Sequence, residues 1–135
     1  MTRTDRIGRI GALAILLLGA RAAASQSATA GDSIARQIEL GKYLFHGKGL
    51  CFSCHGKEGD GVLGPTTKLA GRPLVHAKPT IPEVVALIKA GVDSAHSSLG
   101  QPMPARGGSR LTDSEVEAVA RYVLELQKKS AKPPF

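Results

Sequence analysis

Two thiols three residues apart, followed at once by an imidazole, stand at Cys51, Cys54 and His55, and the chain holds no other cysteine. Cys-x-x-Cys-His is the spacing at which a porphyrin is attached covalently, with each thiol forming a thioether to one vinyl group. The turn that the thiols share brings His55 under the iron as an axial ligand. A chain organised around this motif must wrap a flat, rigid, largely apolar group. One such motif implies one covalently attached haem c with its iron. Other readings of the pair fit less well. A thioredoxin-like redox site needs a strand leading into the motif within a βαβ pattern, whereas an apolar helical segment and glycines precede Cys51. A structural zinc site needs four ligands, usually two well-separated pairs, and beyond the motif only the scattered His46, His76 and His96 remain. A disulfide between Cys51 and Cys54 would close too short a loop to stabilise much.

The first residues have the pattern of an address. Arg3, Arg6 and Arg9 make a basic start, Ile10 to Ala20 is an uninterrupted run of apolar and small residues, and Ala22-Ala23-Ala24 offers a small-x-small cleavage site. Residues 1–24 are therefore expected to be a signal peptide, cut after Ala24 or Ala22, or else kept as an anchor. A spanning helix needs about twenty apolar residues, and Arg21 ends this run early. Export would place the mature chain in a bacterial periplasm, where paired free thiols tend to oxidise and haem attachment gives them another fate. Cleavage removes four arginines and one aspartate, lowering the formal charge from +7 to +4. Such a domain is mildly basic, and neither a nucleic-acid partner nor a membrane span after cleavage is expected.

About a hundred residues then remain, enough for one domain and one core. Tryptophan is absent and aromatic residues are few, so a porphyrin would supply apolar bulk that the side chains lack. Residues 25–31 are expected to be a flexible lead-in, 32–129 the folded domain and 130–135 a tail. Asp32 or Ser33 can cap a first helix, with Ile34, Ile38 and Phe45 on its apolar face, and Gly47 to Gly49 ends it. From Gly56 to Pro82, glycines and prolines break every periodicity, predicting a long loop; loops of this length are usually functional. Pro82 suits the first turn of a helix carrying Val84, Val85, Leu87 and Ile88 and stopped by Gly91. A second loop spans Val92 to Arg110. Thr112 and Glu115 then form a capping box for a last helix whose apolar stripe is Val116, Val119, Ala120, Val123 and Leu124. No segment alternates like a strand, so the class is all-α.

The mature chain has a single methionine, Met103, set between Pro102 and Pro104 in a loop rather than on a helix face. The flanking prolines restrict the local backbone, so the thioether can be presented to a fixed point as the second axial ligand. His76 and His96 are its rivals; His46 lies too near the attachment site to reach the opposite haem face easily.

With these pieces in place, the chain resembles the class I c-type cytochromes, single-haem bacterial electron carriers and cytochrome subunits, over roughly residues 33 to 127. The resemblance rests on Cys51 to His55, on Pro102-Met103-Pro104 before a glycine pair, and on the helix opening Leu111-Thr112-Asp113-Ser114-Glu115. It implies a small cytochrome c fold of three to five helices with long loops around the haem. It also implies a close crossing of the first and last helices at Gly41 and Tyr122, where a bare glycine backbone permits the approach. By the same analogy the Pro65 carbonyl accepts a hydrogen bond from the free ring nitrogen of His55, Leu69 and Leu74 line the haem pocket, and Arg72 faces a propionate.

These features point to electron transfer rather than an enzyme, since ligation by both His55 and Met103 leaves iron no open site for substrate. The protein would be a monomeric carrier or the relay subunit of an oxidoreductase complex. Lys48 and Lys57 flank the attachment site, and with Lys42 and Lys68 they would form a basic rim steering an acidic redox partner. The alternative is a haem enzyme or small-gas sensor with a labile Met103, in which His96 is the obvious distal hydrogen-bond donor.

Overall fold

The computed structural model describes residues 30–129. The signal segment, most of the lead-in and the tail expected from the sequence lie outside the described residues. The chain divides into two units, Met1–Ala35 and Arg36–Phe135. Of the first, the described part, residues 30–35, is helical; the second holds the rest of that helix and all the later elements.

Helix α1 covers residues 30–46. Asp32 and Ser33 stand inside it rather than at its cap, since the chain is already helical at Ala30, a strong helix former. Phe45 and Leu44 are buried and Ile38 packs against the core, whereas Ile34 is exposed. After a turn at 47–49 comes the single-turn α2, Phe52–His55, then the long loop, interrupted by a 3₁₀ turn at Pro65–Thr67. Helix α3 runs Ile81–Ala90 with Pro82 in its first turn, Val84 and Ile88 buried, and Gly91 ending it at φ 73. A second 3₁₀ turn at Ala105–Gly108 leads to α4, Asp113–Lys128. The described residues contain four α-helices and no strand, only one antiparallel bridge between Val92 and Met103.

Helix α4 is the centre of the domain because its apolar stripe is the widest. Val116, Ala118, Val119, Ala120, Tyr122, Val123 and Leu126 are buried, with Leu124 half-buried at the margin. Its start is defined by the expected capping box: Thr112 accepts from the Glu115 amide, and the Glu115 carboxylate accepts from the Thr112 amide. Helix α3 and the Ala105–Gly108 turn pack together, and α3 also packs on α4.

The crossing of α1 and α4 is closer than any side chain would allow. A Cβ at Gly41 would lie 2.0 Å from the Ala118 carbonyl oxygen and 3.0 Å from the Tyr122 Cβ. The expected Gly41–Tyr122 contact is thus present, and its tightest point is the Ala118 backbone. Directly beyond it the rings of Phe45 and Tyr122 meet edge to face at 5.3 Å between centroids. Gly41→Ala should destabilise the domain by about 3 kcal/mol, the upper end of overpacking costs because backbone rather than a side chain must give way. Loss of the cap in Thr112→Ala should cost only about 1 kcal/mol. Denaturant titration of both variants checks the order, and equal losses would mean that the crossing can relax.

Candidate functional site

The attachment motif sits on a sharply turned segment. Leu50 takes a left-handed φ of 51, uncommon for a branched side chain, and this reverses the chain from the end of α1 into α2. The single turn of α2 is closed by the His55 amide donating to the Cys51 carbonyl at 3.0 Å, so Cys51, Cys54 and His55 project from one short coil. Both cysteines are free thiols; Cys54 is exposed and Cys51 is half-buried. Burial pushes the Cys51 thiol up to about 11, helped slightly by Cys54 and opposed by a backbone hydrogen bond, so it is a neutral thiol at neutral pH.

His55 is fixed by one hydrogen bond. Its Nδ1 lies 2.7 Å from the Thr67 carbonyl oxygen. A carbonyl only accepts, so Nδ1 carries the proton and Nε2 keeps its lone pair for a metal. Burial lowers the pKa of the ring and the Thr67 bond partly offsets this, which favours the neutral imidazole that ligation requires.

The acceptor expected from the resemblance was Pro65, and the structure places it two residues further on. Pro65 opens the 3₁₀ turn, and its carbonyl accepts from the Lys68 amide at 3.2 Å and from the guanidinium of Arg72. It is the carbonyl at the end of the turn, on Thr67, that faces the imidazole, and Thr67 is buried with its hydroxyl donating to the Gly64 carbonyl at 2.9 Å. The available signal was Gly64-Pro65 itself, since a proline at the first position of a turn commits its own carbonyl to that turn. The Arg72 guanidinium, which the resemblance turns toward a propionate, braces the same turn, and the Arg72 backbone carbonyl accepts from the Gln127 side chain at 3.1 Å.

Cys51, Cys54, His55 and Met103 all line one predominantly apolar cleft, with about 1350 Å³ of space counting its solvent-open mouth. Leu69 and Leu74 line it as expected, and Pro65 and Arg72 are not among its lining residues. Core side chains of three helices form its inner wall: Phe45 of α1, Val84 and Ile88 of α3, and Val119 and Val123 of α4. The side-chain core is therefore open on the face where the motif sits. Met103 is half-buried against that core, and its backbone is pinned by reciprocal hydrogen bonds of 2.8 Å with Val92. Among the rival histidines, His76 lines the cleft from an exposed position. His46 turns its two ring nitrogens to the Lys42 and Lys57 carbonyls, each at 2.8 Å, and His96 bonds Asp93 at 2.8 Å.

Against known families, the cytochrome c model matches residues 38–127. The chain belongs to the cytochrome c family. Neither curated proteins nor solved structures yield a match. The donor set fits the family's haem: two free thiols for thioether links, a neutral imidazole with its Nε2 unencumbered, and an apolar cleft walled by the core. A bound haem supplies an iron that takes up and releases one electron, and family membership implies haem-based electron transfer. In this cytochrome, Cys51 and Cys54 would hold the porphyrin, His55 would present Nε2 to the iron, and Thr67 orients that ring, a role that in metal sites also raises ligand basicity. Arg72→Ala should lower stability by about 1 kcal/mol through loss of a charge-assisted hydrogen bond and leave the haem absorption spectrum unchanged. A spectral change in that variant, seen by absorption across both redox states, would place Arg72 against the haem instead.

Proposed function

We propose that this cytochrome is an exported single-haem electron carrier, or the relay subunit of an oxidoreductase, with His55 and Met103 as its axial ligands. The observation that carries the reading is that the only methionine of the mature chain lines the same cleft as the attachment motif while its backbone is doubly bonded to Val92. With its main chain fixed, Met103 has only side-chain torsions left to order on ligation, whereas His76 stands at an exposed loop position. Two protein ligands leave the iron no vacancy for substrate, so an outer-sphere electron is what passes. The basic, apolar and small-residue pattern of residues 1–24 supports export to a periplasm.

Met103→Ala should leave haem attached through Cys51 and Cys54, open the sixth position to water or added imidazole, and lower the reduction potential, because methionine ligation raises it. Absorption spectroscopy and potentiometry check this, and an unchanged potential with unchanged imidazole binding would assign the ligand to His76. A gas-sensing haem would bind small ligands in the unaltered protein, which the same titration reveals.

The partner is an acidic redox protein on this reading, with a modified rim. Lys48 is held by Glu115 at 2.7 Å, so steering falls to Lys42, Lys57 and Lys68; Lys68 lines the cleft, Lys57 is exposed just after the motif, and Lys42 is exposed on α1. Electron-transfer rates with an acidic acceptor should fall as salt rises, since exposed charges are screened beyond about 8 Å at physiological ionic strength. Lys57→Glu should lower the association rate several-fold while leaving the haem spectrum intact. Stopped-flow rates indifferent to both changes would favour a permanently docked subunit.

A further inference from the structure

The segment that follows Met103 contains a feature that the cleft alone does not explain. Three consecutive residues, Arg106, Gly107 and Gly108, take left-handed backbone angles of φ 54, 68 and 74. Two are glycines, for which this is ordinary, but Arg106 has a Cβ and the conformation is costly for it. The side chain shows what offsets that cost. Its Nη1 donates to the Leu111 carbonyl at 2.7 Å and its Nη2 to Asp113 Oδ1 at 2.6 Å. The other oxygen of Asp113 accepts from Lys89 Nζ at 2.7 Å. One carboxylate at the first turn of α4 thus ties the last turn of α3 to the chain leaving Met103.

This tie closes a frame around the methionine. Immediately after the side chain, the Met103 carbonyl is so near Gly91 that a Cβ there would lie 2.4 Å from it. On its exit side, a Cβ on Gly107 would lie 2.4 Å from the Gly49 carbonyl oxygen and 3.8 Å from Cys51 Sγ. The segment leaving Met103 is therefore pressed against the attachment segment, and Arg106 is the residue that turns it there. We propose that Arg106, anchored by Leu111 and Asp113, is the positioning residue that holds the Met103 thioether in the cleft. The inference rests on Met103 being an axial ligand. A guanidinium suits the task because its rigid fork reaches a carbonyl and a carboxylate together, which an ammonium cannot do.

The test uses the full haem-loaded protein and reads the sulfur-to-iron charge-transfer band and the affinity of the oxidised form for added imidazole. Arg106→Gly removes the fork while relieving the backbone, so a purely local role would leave ligation unchanged or firmer. The clamp instead predicts about tenfold tighter imidazole binding, the scale of one charge-assisted hydrogen bond, and Arg106→Lys should recover part of it. Asp113→Asn should give about threefold, as for a mostly exposed ion pair. The double variant should be no looser than Arg106→Gly alone, since the two residues act as one unit. Imidazole affinity within about a factor of two of the unaltered protein in Arg106→Gly, or additive effects in the double variant, would overturn the clamp. A charge-transfer band that survives Met103→Ala would overturn the ligation beneath it; loss of the band there with a silent Arg106→Gly overturns the clamp alone.

Discussion

Everything that shapes the cleft depends on how near α1 can come to α4. At Gly41 the two backbones meet with no side chain between them, the Ala118 carbonyl occupying the space where a Cβ would stand. That approach lets Phe45, one turn further along α1, reach across to Tyr122 and still line the cleft. It also leaves Val119 and Val123 of α4 facing the same space. A wider crossing would draw Phe45 away from both neighbours, and packing at crystal-like density cannot absorb such a shift without cost.

The cleft is best understood as a core left incomplete. Phe45, Val84, Ile88, Val119 and Val123 are buried and yet border the space into which both thiols project. With no tryptophan in the chain, little bulk is available to close that face. A flat apolar group seated there would remove apolar surface from water at roughly 25 cal/mol per Å², so cofactor and core are a single hydrophobic unit. The two long loops then do different work. One hands a single carbonyl, that of Thr67, to His55; the other presents Met103 from a two-bond bridge with Val92. In both, backbone hydrogen bonds do the aiming, which suits positions that must hold still in a segment lacking regular structure.

The motif Cys51 to His55, the all-α class, the long glycine- and proline-broken loops, the Thr112–Glu115 capping box and the prominence of Met103 were all legible in the chain itself. They are local facts: a spacing, a periodicity, a cap, a lone residue type between two prolines. The Gly41 contact was legible only through resemblance, since a glycine in a helix does not by itself name what it touches. Ile34 followed the period of α1 but stands exposed, because periodicity marks a face without saying how far the core extends beneath it.

What only the tertiary structure decided was where backbone groups point and which charges meet. Pro65 and Thr67 are two residues apart, and nothing local says which carbonyl faces the imidazole until the 3₁₀ turn has used one of them. Lys48 looks like a free rim charge until Glu115, 67 positions later, takes it. Arg106 looks like a loop cation until Leu111 and Asp113 converge on it and Lys89 arrives from another helix. The amino-acid order determined the chemistry at hand, two thiols, an imidazole and a thioether with a fold able to surround a flat group. The geometry of that chemistry was set by long-range packing, because hydrogen-bond direction and ion pairing depend on neighbours that are distant along the chain and adjacent only in space.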